Sequence, residues 1–340
     1  MLVGVLGCAL AVTERPRVAG QSFALTAMEL LDQYERGTPA AAGAFVGVIH
    51  IESVKDDLHA QGEHWIEEAG PKEVARRRIV AATFALETAR AGLNYEWANS
   101  VELIDWGWSQ LSKQRPPLPA ERLWHLAAIA LFQGAYDESQ LEPRLRRVKS
   151  RFPKEPRILL ADAWLLESLR GGGFPPPLRG KPGGVGDSGG NIKAAYMKAL
   201  ASPDATVAGE ADLRLGYYDL IADRSESALA RLAHALSTTT DPDVIYLAHL
   251  FRGWTLSRME RDGESTAEYQ QAVEAVPAGG TGALWLSRRL VLEGKRATAD
   301  AIADRSLVGA KDIDDPWRLY GYGDFRRFPA LMKQLREAIR

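Results

Sequence analysis

The sequence has one cysteine in 340 residues, and several other features are equally scarce. A single cysteine, Cys8, cannot form an internal disulfide or a CxxC metal site. No apolar stretch reaches the roughly 20 residues that a membrane-spanning helix needs, so we expect no membrane span. The net charge is -2, which gives no electrostatic reason to expect nucleic acid as a partner. Compact β-branched runs are rare, so the sequence predicts little or no sheet.

Motifs for catalysis are also missing or incomplete. Gly184 to Gly189 matches GxGxxG, but a Pro-rich stretch precedes it where the dinucleotide fingerprint needs a strand. His50, His59 and His64 lie close together in sequence, yet on one helix the first and last would be about 21 Å apart. We therefore expect no catalytic residue, no cofactor and no metal. The alternative is a small-ligand- or metal-binding protein or an enzyme, with its site in the N-terminal helical half.

The sequence does contain a repeated spacing. Gly216 lies 37 residues before Gly253, and Gly253 lies 34 residues before Ser287, each within an apolar segment. Small residues follow each of them after the same interval, at Ala228, Ser265 and Ala299. Because small side chains let helix axes approach closely, the pattern predicts antiparallel helix pairs that stack on their neighbours. The predicted fold class is all-α, an α-solenoid of such pairs.

At these positions the chain resembles the tetratricopeptide repeat (TPR) family of the bacterial type. The second unit carries the resemblance best, through Gly253, Ser265, Tyr269, Ala272 and Pro277. The resemblance covers residues 205–308 and is fainter around residues 123–136. It implies a non-catalytic scaffold that binds a protein or peptide partner.

In that family the first helix of each pair lines a concave groove that binds the partner. Carried over position by position, the resemblance implies a groove formed by Arg214, Tyr217, Ile221, Leu250, Phe251, Trp254, Arg258, Leu284, Trp285 and Arg288. Aromatic and apolar side chains with a few arginines are typical of interface anchors. Either the groove is open to a partner, or another helix of the same chain covers it. An open groove predicts that replacing Trp254 and Trp285 by Ala weakens partner capture without unfolding the helices.

Composition divides the chain into five regions. They are residues 1–20, an apolar stretch; 21–170, an N-terminal helical region of degenerate repeats; 171–190, a Gly/Pro-rich loop; 191–308, the repeats; and 309–340, a C-terminal cap. The apolar start indicates a truncated signal peptide of an exported, periplasmic protein; the alternative is an apolar tail on a cytoplasmic protein. Within the N-terminal region, helices are predicted at 22–36, 40–58, 73–91, 100–113, 119–133, 141–152 and 156–169.

The last region is rich in aromatic residues. A turn that contains Trp317 and Tyr320 precedes a helix that carries Leu331, Leu335 and Ile339 on one face. Because a repeat array needs an atypical element over its terminal apolar face, we expect this region to act as a cap. A docking surface for a partner is the alternative. The adjacent arginine pair 326–327 is expected on an exposed face among acidic residues.

Overall fold

The computed structural model describes residues 27–36, 51–92, 96–113, 115, 117–135, 137–169, 189–309 and 315–339. Within these residues the chain forms α-helices and one 3-10 segment and contains no strand, so the predicted all-α, solenoid-like fold is confirmed. In these same ranges, no helix combines the length and the apolar character that a membrane crossing requires. Residues 1–20, with the predicted signal peptide, and residues 171–188 of the predicted loop lie outside the described ranges.

In the N-terminal half most helices pack against their sequence neighbours. These helices are α1 (Ala27–Glu35), α2 (Ile51–Glu68), α3 (Val74–Ala91), α4 (Trp97–Ser112), α5 (Pro119–Gly134), α6 (Glu138–Arg151) and α7 (Pro156–Ser168). The helix that was predicted to end at Leu58 continues to Glu68, because Leu58, Trp65 and Ile66 all lie on its buried face. Residues 40–50 of that predicted helix are outside the described ranges.

The second half contains the repeated pairs and the aromatic-rich segment. Its helices are α8 (Gly189–Leu200), α9 (Ala205–Ile221), α10 (Ser225–Thr238), α11 (Pro242–Arg258), α12 (Asp262–Ala275), α13 (Gly280–Leu292), α14 (Arg296–Gly309), α15 (Pro316–Leu319) and α16 (Phe328–Ile339), and the 3-10 segment spans Tyr320–Arg327. Helix α8 begins at Gly189, within the last two residues of the predicted 171–190 loop. The three repeat units are the pairs α9–α10, α11–α12 and α13–α14.

Close helix approach within each pair explains the spacing of the small residues. A Cβ atom at Gly253 would lie 2.3 Å from the ring of Tyr269. The Oγ atom of Ser265 donates a hydrogen bond to the carbonyl oxygen of Gly253 at 2.9 Å. The Oγ atom of Ser287 likewise donates to the carbonyl oxygen of Ala299 at 3.0 Å. The residues that recur with the repeat are therefore the residues at which the two helices touch.

The turns inside the three pairs also share one conformation. Asp223, Glu260 and Gly294 occupy equivalent positions and have φ angles of 59°, 60° and 79°. In each turn the next amide N–H donates to the carbonyl five residues earlier, at 2.8 to 2.9 Å. This left-handed conformation normally favours glycine, yet Asp and Glu adopt it in the first two units. The repeat therefore persists in the backbone where the side chains differ.

After α14, the described part of the chain adds no further helix pair to the repeats. Helix α16 packs against α5 and α3 in the N-terminal half. Its apolar face buries Phe328 and Leu335 in the core of that half, and Leu331 and Ile339 share that face as their spacing predicts. Residues 315–327 cross from the repeat units back to the first half, and they do so along the first helices of the repeat pairs.

Replacing Gly253 by Ala tests whether close approach at the repeat position stabilises the fold. The added methyl group would press on the ring of Tyr269, and overpacking of this kind lowers the free energy of unfolding by about 1–3 kcal/mol. The control is Gly263→Ala in α12, where a Cβ atom meets nothing within 4 Å. Urea unfolding followed by circular dichroism measures both variants. Equal stability of the two variants would contradict the assignment of Gly253 as a contact residue.

Candidate functional site

The candidate site is the surface formed by the first helices of the three repeat units, α9, α11 and α13, where the resemblance implies a groove. In this structure the groove is largely filled by residues 315–327, which we call the returning segment. It consists of α15 and the 3-10 segment. Its contacts can be followed from α13 to α5, and they are of three kinds: anchoring hydrogen bonds, aromatic contacts and ion pairs.

Asp315 anchors the start of the returning segment. Its Oδ2 atom accepts hydrogen bonds from the backbone N–H of Thr281 at 2.8 Å and from its hydroxyl at 2.6 Å. Its Oδ1 atom accepts from the hydroxyl of Tyr246 at 3.2 Å and from the N–H of Trp317 at 3.0 Å. The last contact caps the N-terminus of α15. One carboxylate thus fixes the segment to α11 and α13 and also sets its helical start.

Aromatic rings form the middle of the contact. The ring centroid of Trp317 lies 4.9 Å from that of Trp254, with the planes at 85°. Tyr320 lies 5.6 Å from Phe251 and 5.5 Å from Tyr217, again edge to face. Such arrangements are favourable because the positive edge of one ring meets the negative face of another. The returning segment thereby completes an aromatic cluster that the groove alone would leave open.

The far end of the segment reaches α5 and α7. The indole N–H of Trp164 donates to the carbonyl oxygen of Gly321 at 2.9 Å. The backbone N–H of Asp324 donates to Oε1 of Gln133 at 3.0 Å. Between them, Gly323 has a φ of 55°, and a Cβ atom there would lie 2.5 Å from the Gln133 amide. Glycine is needed at this position because both the backbone conformation and the available space exclude a side chain.

A buried charge network closes the site. Glu210 of α9 is 3% exposed, and Arg157 and Arg326 each approach its Oε2 atom at 3.2 Å. Arg157 also pairs with Asp324 at 2.7 Å, and Arg326 pairs with Asp243 at 2.7 Å. The network joins α7, α9, α11 and the returning segment. Paired charges of this kind are tolerated in a core because each has an opposite neighbour.

The arginines determine the ionisation of Glu210. Burial alone would raise the pKa of this carboxyl group, but Arg326 and Arg157, followed by Arg327 and Arg214, outweigh burial and hold the pKa well below its usual value of 4.5. Burial alone would lower the pKa of Arg326, whereas Glu210 raises it. Both groups are therefore charged at neutral pH, and the charge of each stabilises the charged form of the other.

The structure divides the ten predicted groove residues into three groups. Five are buried: Arg214, Tyr217, Leu250, Phe251 and Trp254. Ile221 and Trp285 are half-buried, and Arg258, Leu284 and Arg288 are exposed. For the five buried residues, the groove is covered by the chain itself, which was the second of the two alternatives. Trp317 and Tyr320 pack on the rings of Tyr217, Phe251 and Trp254. The guanidinium group of Arg214 lies over the ring of Tyr320. Solvent and a partner therefore cannot reach these four residues in this conformation.

Other residues of the site were not predicted from the sequence. Glu210, Arg157 and Asp324 lie on different elements, and no local pattern connects them. The sequence predicts an exposed arginine pair at 326–327, but this prediction is wrong for Arg326, whose side chain is 7% exposed. Its carboxylate partners come from α9 and α11, far away in sequence, so the pattern around residue 326 could not reveal them.

The alternative site in the N-terminal half rested on histidines. His59 and His64 are exposed on α2, and His50 lies outside the described residues. His64 pairs with Glu68 at 3.0 Å on the same helix. Across the described part of the chain, no group of three or more His, Cys, Asp or Glu residues is arranged to hold a metal ion.

No protein-family model matches the chain, and a comparison with curated proteins gave no match. The resemblance to a repeat family therefore depends on the repeat positions themselves, on their contacts and on the equivalent turns.

Trp254 and Trp285 are expected to differ in their effect on stability. Trp254→Ala removes a buried ring from the contact with Trp317, and we expect it to lower the free energy of unfolding by about 3–5 kcal/mol. Because Trp285 is half-buried, Trp285→Ala should lower the free energy of unfolding by a clearly smaller amount. Urea unfolding of the two single variants measures this difference. Equal losses would show that the ring of Trp254 is not a core element.

The charge network predicts a loss of stability in acid. Unfolded Glu210 takes up a proton near pH 4.5, whereas the folded carboxylate does so only at much lower pH. The contribution of Glu210 to the free energy of unfolding is therefore complete above about pH 5. It is lost progressively as the pH falls below that value. We expect Glu210→Gln to be less stable by about 3–5 kcal/mol at neutral pH and to lose less stability between pH 5 and pH 2.

Urea unfolding at a series of pH values measures both effects. The control is Glu226→Gln, which changes an exposed carboxylate of α10 and should follow the wild-type curve. A Glu210→Gln curve parallel to the wild-type curve would mean that Glu210 is not the group that titrates.

Proposed function

We propose that this protein is a non-catalytic scaffold of the TPR-like, bacterial type, which binds a protein or peptide partner on the concave face of its helical repeats. The three pairs α9–α10, α11–α12 and α13–α14 support the repeat assignment through their shared contacts and turns. In such arrays stacked pairs create an extended concave surface, which is suited to binding a chain segment rather than to enclosing a small molecule.

The observation that carries the proposal is the way in which the groove holds the returning segment. Helices α9 and α11 take up Trp317 and Tyr320 between their own rings. Side chains of the groove also bond to the backbone of the segment: a guanidinium nitrogen of Arg214 donates to the carbonyl oxygen of Tyr320 at 3.2 Å. Ring contacts together with backbone hydrogen bonds are the interactions with which protein surfaces bind peptides.

The groove is not covered along its whole length. On α13, Leu284 is 58% exposed and Arg288 is also exposed. A partner can therefore reach the concave face at the third unit without displacing the returning segment. This uncovered part is where binding should be tested, because substitutions there leave the buried cluster intact.

Affinity capture with a matched pair of variants tests the proposal. The immobilised full chain is incubated with lysate of the organism that encodes it, and the retained proteins are identified by mass spectrometry. We expect specific proteins on the wild type and their loss from Leu284→Asp, because a carboxylate there disfavours an apolar contact. The control Leu169→Asp places the same charge at a similarly exposed leucine, 56% exposed, at the end of α7.

The proposal requires that Leu169→Asp retain the same proteins as the wild type, and that both variants give the helical circular dichroism signal of the wild type. If the wild type retains no more than a bait-free matrix does, the protein is not a binding scaffold under these conditions and the proposal fails.

A further inference from the structure

Helix α13 presents an apolar face that nothing in the described part of the chain covers. Leu284, Val291 and Leu292 are 58%, 48% and 66% exposed. Together with Arg288 they follow the spacing that brings residues to one side of a helix. Of the five large apolar side chains exposed in the described residues, three belong to this face. Isolated exposed leucines are common on surfaces, whereas a contiguous stripe marks a contact site.

Two of these four repeat positions are buried in the preceding unit. The other two, Val291 and Leu292, correspond to Ser257, which is half-buried, and Arg258, which is exposed. Leu284 corresponds to Leu250, and Arg288 corresponds to Trp254, when the units are aligned on Gly253 and Ser287. Leu250 is fully buried, and Trp254 packs against Trp317 of the returning segment. At Leu284 and Arg288 the face of α13 therefore continues a contact surface that is already filled on α11. The returning segment leaves α13 at its first turn, where Asp315 binds Thr281, and so does not cover the last two turns.

The charge on this face is uncompensated. The guanidinium group of Arg288 lies 5.0 Å from the ring centroid of Trp285 and makes no ion pair within the described residues. Its neighbour Arg289, in contrast, pairs with Asp262 at 2.9 Å. An exposed guanidinium group that stacks on a tryptophan remains able to donate to a carboxylate through its outer nitrogens.

The geometry points to the face formed by Leu284, Arg288, Val291 and Leu292 as the docking site for a partner segment with an aliphatic or aromatic side chain next to a carboxylate. This inference rests on the proposed function and gives it a location and a partner chemistry. The apolar side chain replaces water over the leucines, as Trp317 does over Trp254. The carboxylate pairs with Arg288 and fixes the orientation of the segment.

A second copy of this chain suits the face less well. Antiparallel pairing of two α13 helices about Arg288 would place two guanidinium groups opposite each other, and like charges at an interface are unfavourable. A partner that brings its own acidic group satisfies the apolar and the charged parts of the face together.

The probe for this inference is a phage-displayed library of random short peptides, selected on the full chain. Recovered peptides are synthesised with a fluorescent label, and their affinities are measured by fluorescence anisotropy. We expect them to combine an acidic residue with an aliphatic or aromatic residue. Leu292→Asp should weaken their binding about tenfold or more, because it removes buried apolar area from the contact.

Charge reversal tests the role of Arg288. Arg288→Glu should lower the affinity for the acidic peptides about fivefold or more. Peptides in which Lys replaces the acidic residue should bind this variant better than they bind the wild type. The control Leu169→Asp should bind all of these peptides as the wild type does.

The alternative outcomes separate this inference from the proposed function. Peptides that bind equally to the wild type, Leu292→Asp and Arg288→Glu would place the binding site elsewhere, which overturns the inference but leaves the scaffold function standing. A concentration-dependent dimer that Leu292→Asp abolishes would assign the face to a second copy and would also overturn it. Failure to recover any peptide, together with failure of affinity capture, would contradict both the inference and the proposed scaffold function.

Discussion

The structure depends on the pairing of Glu210 with the arginines that surround it. Arg157 from the first half of the chain and Arg326 from the returning segment meet on this one carboxylate of the repeat half. Removing the Glu210 carboxylate would leave these buried arginines with fewer opposite charges, and breaking a buried pairing in this way is strongly destabilising. The three parts of the chain are therefore held in one arrangement, in which the aromatic cluster also forms.

This constraint changes how a repeat protein behaves. In a simple array each unit contacts only its neighbours, so units can unfold one after another. Here the backbone N–H of Asp324 bonds to Gln133, which is 191 residues away in sequence. The returning segment thus links the third unit to α5 and α7, and α16 completes the core of the first half. We infer that the two halves unfold together, because neither keeps its full core without residues 315–339.

Much of the fold was predictable because its cause is local. The interval from Gly253 to Ser287 reflects contacts between adjacent helices, and the apolar spacing of Leu331, Leu335 and Ile339 reflects one helix face. The destination of the returning segment was not predictable, since its partners lie in distant elements. An aromatic groove also has the same composition whether it binds a partner or the chain itself. The sequence could therefore indicate an aromatic binding surface, but it could not indicate which segment binds to that surface.

The order of the elements along the chain has a consequence for biosynthesis. The rings of Tyr217, Phe251 and Trp254 emerge from the ribosome well before Trp317 and Tyr320, which later cover them. Chains fold as they are made, and exposed apolar surface on an incomplete chain promotes aggregation. A nascent chain that has finished its third helix pair therefore displays an unshielded aromatic surface.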